Sequence, residues 1–326
     1  MRPNTTPPGR RGGDHRWSLA VVLVLLTSGL AALLLLGTRG PALLAGPPAG
    51  WIPGISRVAV VVLENRGYRQ VVGNPRAPYM NLLARRYALA TRYYAVAHPS
   101  VPNYLALTGG STFGIRSDCR LCDADAPNLV SQLSAAGISW KAYFEDLPPA
   151  GRLGMRTGLY TVHYNPFAYF ETVSANALQR SRIVSFRSLN RDLALARLPR
   201  FSWIAPNLSH DGHSASLEAT DRYVSKLVPR VIHALGPRGV LYLTWDEGSP
   251  GAHAGAGGVR GGGRVALIAA GGAARRSATT ATRADHYALL RTIEAGFHLR
   301  GLGRAGSTST PLLSGLLRPA PRGDYS

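Results

Sequence analysis

Two apolar runs in this sequence stop abruptly in side chains that can hold cations. "VAVVVL" (58–63) is followed by Glu64 and Asn65, and "GVLYLTW" (239–245) by Asp246 and Glu247. A carboxylate at the tip of a buried strand is costly unless it is paired or bound to a cation. Adjacent acids raise each other's affinity for protons or cations, and carboxylate and amide oxygens suit hard or borderline divalent metals. Taken alone, Glu64 reads equally well as a cap of the next segment. A solvated turn explains Asp246 and Glu247 less well, because a strongly apolar strand and Gly248 frame them.

A nucleophile is offered by "HPSVPNYLALTGG" (98–110). Pro102 suits the first turn of a helix, where its missing N–H is not needed, and Gly109 and Gly110 supply the stop. Ser100 then sits where free N–H groups and a partial positive charge attract anions. Metal coordination there would activate a serine without a histidine base. On this stretch alone, a plain helix cap is the simpler reading. "PNLSHDGH" adds Asn207, His210, Asp211 and His213 within eight residues, "DHYALL" adds Asp285 and His286, and "VHYNPF" adds His163. Each histidine alone is more often structural; together they suggest a metal or phosphate site.

These residues need a frame. Strands are read at Val58–Leu63, just before His98, and in "ISWKAYFED", "RFSWIAPN", "GVLYLTWDEG" and "GRVALIAAGG", and amphipathic segments of helical period lie between them. Alternating strands and helices predict an α/β domain with a central, mostly parallel sheet flanked by helices. The polar clusters follow the strands, at the carboxyl ends where such sheets place their sites.

The chain of 326 residues carries 37 Lys+Arg against 17 Asp+Glu, a net charge of +20, nearly all of it arginine. The cations are scattered and no nucleic-acid-binding motif accompanies them, so no nucleic acid is expected as a partner. Residues 18–37 contain no charge, and at ~1.5 Å per residue they span the ~30 Å core of a bilayer. Arg2, Arg10, Arg11 and Arg16 precede this segment, which places 1–17 in the cytoplasm. The expected order is a cytoplasmic tail (1–17), a single transmembrane signal-anchor helix (18–37), a linker (38–55), an extracytoplasmic catalytic domain (56–305) and a flexible tail (306–326). An uncleaved anchor is favoured over a signal peptide, the alternative that would give a secreted protein, because no clean small-x-small site follows the apolar segment. Cys119 and Cys122 in "CRLC" fit an oxidising compartment as a local disulfide, with no second pair to complete a zinc site.

Seven stretches in order, "VVVLENRGY", "HPSVPNYLALTGG", "SWKAYFEDLP", "HYNPFAYF", "IAPNLSHDGH", "TWDEG" and "DHYALLRTIE", resemble the phosphoesterase family of bacterial phospholipases C and acid phosphatases, within the alkaline-phosphatase-like superfamily. The resemblance runs from about Val58 to Leu299. It implies an alkaline-phosphatase-like fold and a phosphate-ester substrate, either a small molecule or a phospholipid headgroup. It also implies one or two divalent metal ions, with zinc, calcium, manganese and iron all admissible. Glu64, Asn65, Asp246, Glu247 and the Ser100 oxygen would bind metal. Asp211, His213 and His286 would form a second metal site or contact phosphate, and His163 would neutralise charge or protonate the leaving group. Two departures bear on substrate choice: "TWDE" continues as "GSPGAHAGAGG" rather than an acidic stretch, and Arg66-Gly67-Tyr68 replaces an aromatic Ser-Phe. The rival readings are a catalytically inactive exported binding module and a metal-independent serine acyl hydrolase.

Overall fold

The computed structural model describes residues 52, 55–120, 122–148 and 156–319. The expected transmembrane segment and most of the expected linker lie outside these residues, and no described helix is long and apolar enough to cross a membrane.

One sheet organises the domain. Its strands are β1 (Arg57–Leu63), β2 (Ala88–Tyr94), β3 (Trp140–Phe144), β4 (Ile183–Ser185), β5 (Phe201–Ala205), β6 (Gly239–Trp245), β7 (Arg264–Ala270), β8 (Ala278–Thr280) and β9 (Ala284–Asp285). They lie in the order β4-β3-β5-β1-β6-β7-β2-β8, with β9 also beside β2. β4, β3, β5, β1 and β6 run parallel, and β7 is antiparallel to both its neighbours. The mostly parallel α/β sheet read from the sequence is therefore present. Its central strands are β-branched or apolar nearly throughout and are buried on both faces, the pattern of a sheet covered by helices on each side.

The longer helices are α1 (Pro78–Arg86), α2 (Ser100–Gly109), α3 (Leu129–Ala135), α4 (Phe186–Ala194), α5 (Leu217–Leu235) and α6 (His286–Gly296). α2 is unusual in being buried at all ten positions. It has no polar face to solvate, so its polar side chains bond inward. The Asn103 side chain accepts from the Val96 and Ala97 N–H groups and donates to the carbonyls of Ala97 and Pro99, which fixes the turn that delivers Ser100. At the other end Gly110 adopts φ +72°, and a Cβ there would collide with the Leu302 carbonyl. Glycine is needed for the left-handed cap and for this close approach.

The expected flexible tail is corrected in part. Residues 306–319 pack on the domain: Leu313, Leu316 and Leu317 are buried, the Leu313 N–H donates to Thr292 Oγ1, and the Arg291 guanidinium holds the carbonyls of Ser307 and Thr310. Three leucines spaced i, i+3 and i+4 around a single helical turn are enough to anchor this short segment, whose backbone finds partners on α6 and beside β7.

Glu294, buried on α6, accepts from the Leu302 N–H with one oxygen and has no partner at the other. Burial pushes its carboxyl up to about 8 from an ordinary 4.5. The fold binds this proton more tightly than the unfolded chain does, so the stability gained is complete below 4.5 and is lost as pH rises toward 8. Glu294→Gln should abolish that loss, raising Tm by about 3–6 °C at pH 8 while changing it little at pH 4.5. Thermal unfolding of the two proteins across this range checks it.

Candidate active site

Strand register brings the acids together. Leu63 of β1 pairs with Trp245 of β6, so Glu64 and Asp246 leave the sheet side by side. The Asp246 N–H donates to the Leu63 carbonyl at 2.9 Å, and the Asn65 N–H donates to Asp246 Oδ1 at 2.9 Å. Asn65 adopts φ +56° to make this turn, a conformation asparagine tolerates better than most residues.

Ser100 is the first residue of α2, and Pro99 is its cap. The plain-cap reading is thereby excluded: the hydroxyl does not turn back onto its own helix but donates to Glu64 Oε2 at 3.2 Å. One turn on, Tyr104 donates to Glu64 Oε1, and the Asn65 amide reaches Oε2 at 3.3 Å. Asp246 Oδ2 is buried with no hydrogen-bond partner, although Ser100 and Glu64 lie near enough to favour its charge. Burial first, and then the Asp246 charge, lifts the Glu64 carboxyl well above its ordinary value. Burial lifts Asp246 too, against the pull of the Asn65 N–H. Glu247 is raised by burial and by Asp246, and its Oε2 pairs with His98 Nδ1 at 2.7 Å. Several acids thus crowd one serine with little cationic balance behind them.

A cleft of about 310 Å³ opens over Ser100. Arg120, Arg156, His163 and His213 line it together with Glu64, Glu247 and Asp118. Burial pushes His163 below its ordinary value; Asp118 pulls it back, and the two arginines push it further down. The fixed positive charge of the cleft therefore comes from Arg120 and Arg156. Cys119 and Cys122 are disulfide-bonded, with Cα atoms 5.8 Å apart, and this short loop carries Arg120. Asp118 accepts from the Val101 N–H at 3.0 Å and ties the same loop to the start of α2.

The sequence-derived set divides. Glu64, Asn65, Ser100, His163, His213 and Glu247 line the cleft, and Asp246 lies beneath it. Asp211 and His286, expected as ligands of a second metal site, are both hydrogen-bonded to protein groups. Asp211 accepts from the Tyr164 hydroxyl with one oxygen and from the His213 and Ser214 N–H groups with the other. His286 is fully buried between the Tyr93 hydroxyl, 2.8 Å from Nδ1, and the Asp246 carbonyl, 2.6 Å from Nε2, and burial pushes it down to about 4. Both are fully engaged in holding the site's walls. His210 also turns away, bonded to Glu145 and stacked on Tyr223, while Asp285 caps α6. Among the described residues no three His, Cys, Asp or Glu side chains are grouped as a metal's ligands. The donors that converge on Ser100 are two carboxylates, Glu64 and Asp246, with the Asn65 amide.

Sequence reasoning missed His98, Tyr104, Tyr164, Arg120 and Arg156. Tyr104 was findable, because position i+4 of a helix shares a face with Ser100. The arginines were not, since nothing distinguishes them locally from the many others.

Comparison with solved structures places this sheet and its helices in the alkaline phosphatase superfamily fold. A protein of that superfamily from Vibrio parahaemolyticus superposes with TM-score 0.55 at 12% identity, over 78% of this chain and 69% of that one. A phosphonate monoester hydrolase from Silicibacter pomeroyi gives 0.51 at 10% identity, over 83% and 78%. Within that fold the chain belongs to the Phosphoesterase family, whose model matches residues 73–300. The match begins after Glu64 and Asn65 and takes in Ser100 through His286. The chain is 33% identical over 232 residues to a phosphatidylinositol-3-phosphatase of Mycobacterium tuberculosis, covering 71% of this chain and 74% of that one. It is 30% identical over 261 residues to a phosphate-repressible acid phosphatase of Penicillium chrysogenum, covering 76% of this chain and 60% of that one.

Proposed function

We propose that this chain is a membrane-anchored, extracytoplasmic, metal-dependent phosphoesterase that cleaves phosphate esters through a phosphoserine at Ser100. By family it is a phosphoric ester hydrolase. The observation that carries the finer reading is a helix-terminal serine on two buried carboxylates, one of them with a partnerless oxygen, facing an arginine-lined cleft. The phosphatase names of the relatives favour the acid phosphatase branch over phospholipase C. The membrane arrangement rests on residues 18–37 and the arginines before them.

A divalent cation fits this donor set. Buried like charges are costly unless a cation offsets them, and Asp246 Oδ2 is an oxygen with nothing else to bind. Glu64, Asp246, Asn65 and Ser100 would hold it, and Glu247 stands beside them in its pair with His98. Such a cation would supply charge neutralisation and lower the pKa of the Ser100 hydroxyl.

The rest belongs to the chain's own groups. Arg120 and Arg156 bind the phosphoryl oxygens and orient phosphorus over Ser100. The Ser100 proton already points to Glu64 Oε2. As the Oγ–P bond forms, the Ser100 proton passes to Glu64 Oε2; the P–O ester bond breaks and the alcohol leaves with a proton from His213, which lines the cleft. Water then attacks phosphorus: its hydroxyl goes to the departing phosphate, its proton to Ser100 Oγ as Oγ–P breaks, and the proton held by Glu64 returns through solvent to His213. Positioning and charge complementarity do most of the work in such transfers. A serine acyl hydrolase is disfavoured because Ser100 bonds a carboxylate and not a histidine.

The test is hydrolysis of a chromogenic phosphomonoester and phosphodiester by the purified chain, with and without chelator. Chelator-sensitive turnover with the monoester preferred is expected. Full turnover after complete metal removal would sink the metal dependence, and no turnover with any added metal would favour the inactive binding module.

A further inference from the structure

A second cavity of about 650 Å³ adjoins the first. The two share a wall: loop 111–120 gives Asp118 and Arg120 to the cleft over Ser100, and Ile115 and Arg116 to its neighbour. His98 lines the second cavity and bonds Glu247, which lines the first. Three arginines, Arg116, Arg260 and Arg304, line it from separate segments, together with His253, and among the described residues no carboxylate lines it. Asp285 acts on Arg304 only from the start of α6, where it is committed as the cap.

Two of the three arginines, all exposed, have fixed backbones. The loop bearing Arg260 is stitched to the end of β2 by hydrogen bonds from Gly262 N–H to the Ala95 carbonyl (3.0 Å) and from Ala95 N–H to the Gly263 carbonyl (2.9 Å). A Cβ at Gly261 would crowd the Ala95 carbonyl. The Arg260 guanidinium lies 3.2 Å from His253 Nε2. The Arg304 N–H donates to the Gly110 carbonyl, and its guanidinium lies 5.0 Å over the Tyr287 ring. A solvated arginine shell would scatter its charges; here a cavity with Ile115 and Tyr287 in its walls collects them. Arginine forks match the oxygens of phosphates and carboxylates, and the phosphate-ester chemistry of the adjoining cleft selects phosphate between them.

We infer that this cavity is a second phosphate subsite, which takes the distal phosphate of an organic bisphosphate whose other phosphate lies over Ser100. The inference rests on the phosphoesterase reading and names a substrate class for it. The loop "GSPGAHAGAGG" supplies His253 and leads to Arg260.

The experiment uses the full chain in detergent, as Ser100→Ala so that ligands persist, and titrates it calorimetrically with alkanediol bisphosphates of increasing length, the matching monophosphates and inorganic phosphate. The best bisphosphate should bind at least ~10-fold more tightly than its monophosphate. Adding Arg116→Gln, Arg260→Gln and Arg304→Gln together should erase that advantage and leave monophosphate affinity within about twofold. Arg260→Gln alone, on an exposed loop, repeats the test should the triple variant unfold, and Arg260→Lys should restore only part of the loss. Equal affinity for bisphosphate and monophosphate overturns the inference. So does a second, arginine-dependent inorganic phosphate with no bisphosphate advantage, which would mark a site for free phosphate. Failure of the catalytic reading looks different: a bisphosphate advantage that needs the arginines, in a wild-type chain that hydrolyses no ester.

Discussion

Ser100→Ala should lower kcat for phosphate-ester hydrolysis by at least ~10⁴-fold while the chain remains folded. The serine hydroxyl is small and its contact with Glu64 is a single hydrogen bond, so its removal takes away little packing. α2 is held by other means: the Asn103 bonds at its start, the Asp118 bond to the Val101 N–H, and the Gly110 cap. Tm should therefore move by less than about 3 °C. Ligand binding should persist, since Arg120 and Arg156 are untouched. A loss of kcat with little change in stability separates a nucleophile from a structural cap. Steady-state kinetics beside thermal unfolding reads both.

Asp246→Asn should give the second large effect, with an opposite sign in stability. Asp246 shares its burial with Glu64, and its Oδ2 has no hydrogen bond. Without a cation the pair is a buried like-charge contact. The amide removes one charge and offers Glu64 a donor. In chelator-treated protein the variant should therefore melt about 3–6 °C above wild type. With a saturating divalent cation the order should reverse, because the variant has lost a charged ligand, and kcat should fall about 10²–10³-fold. Wild type more stable than Asp246→Asn even under chelator would mean that the carboxylate is offset by the protein itself. The metal would then lose its physical motive.

The sheet was legible because its strands announce themselves. "VAVVVL" and "GVLYLTW" are unbroken apolar runs that end in acids, and neighbouring parallel strands bring such endings together. Ser100, Glu64 and Asp246 follow from that logic plus a helix that starts at Ser100. What sequence could not supply was orientation. Asp211 and His286 occupy the right loops, yet their polar atoms are spent on Tyr164, Tyr93 and backbone groups, because buried polar atoms must find partners wherever the fold puts them. Arg120 and Arg156 were invisible for the opposite reason. In a chain with so many scattered arginines, only the cleft distinguishes the two that line the site. The packing of 306–319 was hidden for another reason: Leu313, Leu316 and Leu317 have helical spacing, but over a single turn, too short to stand out among the surrounding Gly, Ser and Pro.

The most direct measurement is acid quenching of the enzyme during turnover of a phosphomonoester, followed by mass spectrometry of the peptide that contains Ser100. One phosphoryl group on Ser100, absent from Ser100→Ala and lost on a chase with unlabelled buffer, is the predicted result. A peptide unmodified at Ser100 during active turnover, with phosphate on another residue or on none, would contradict the account.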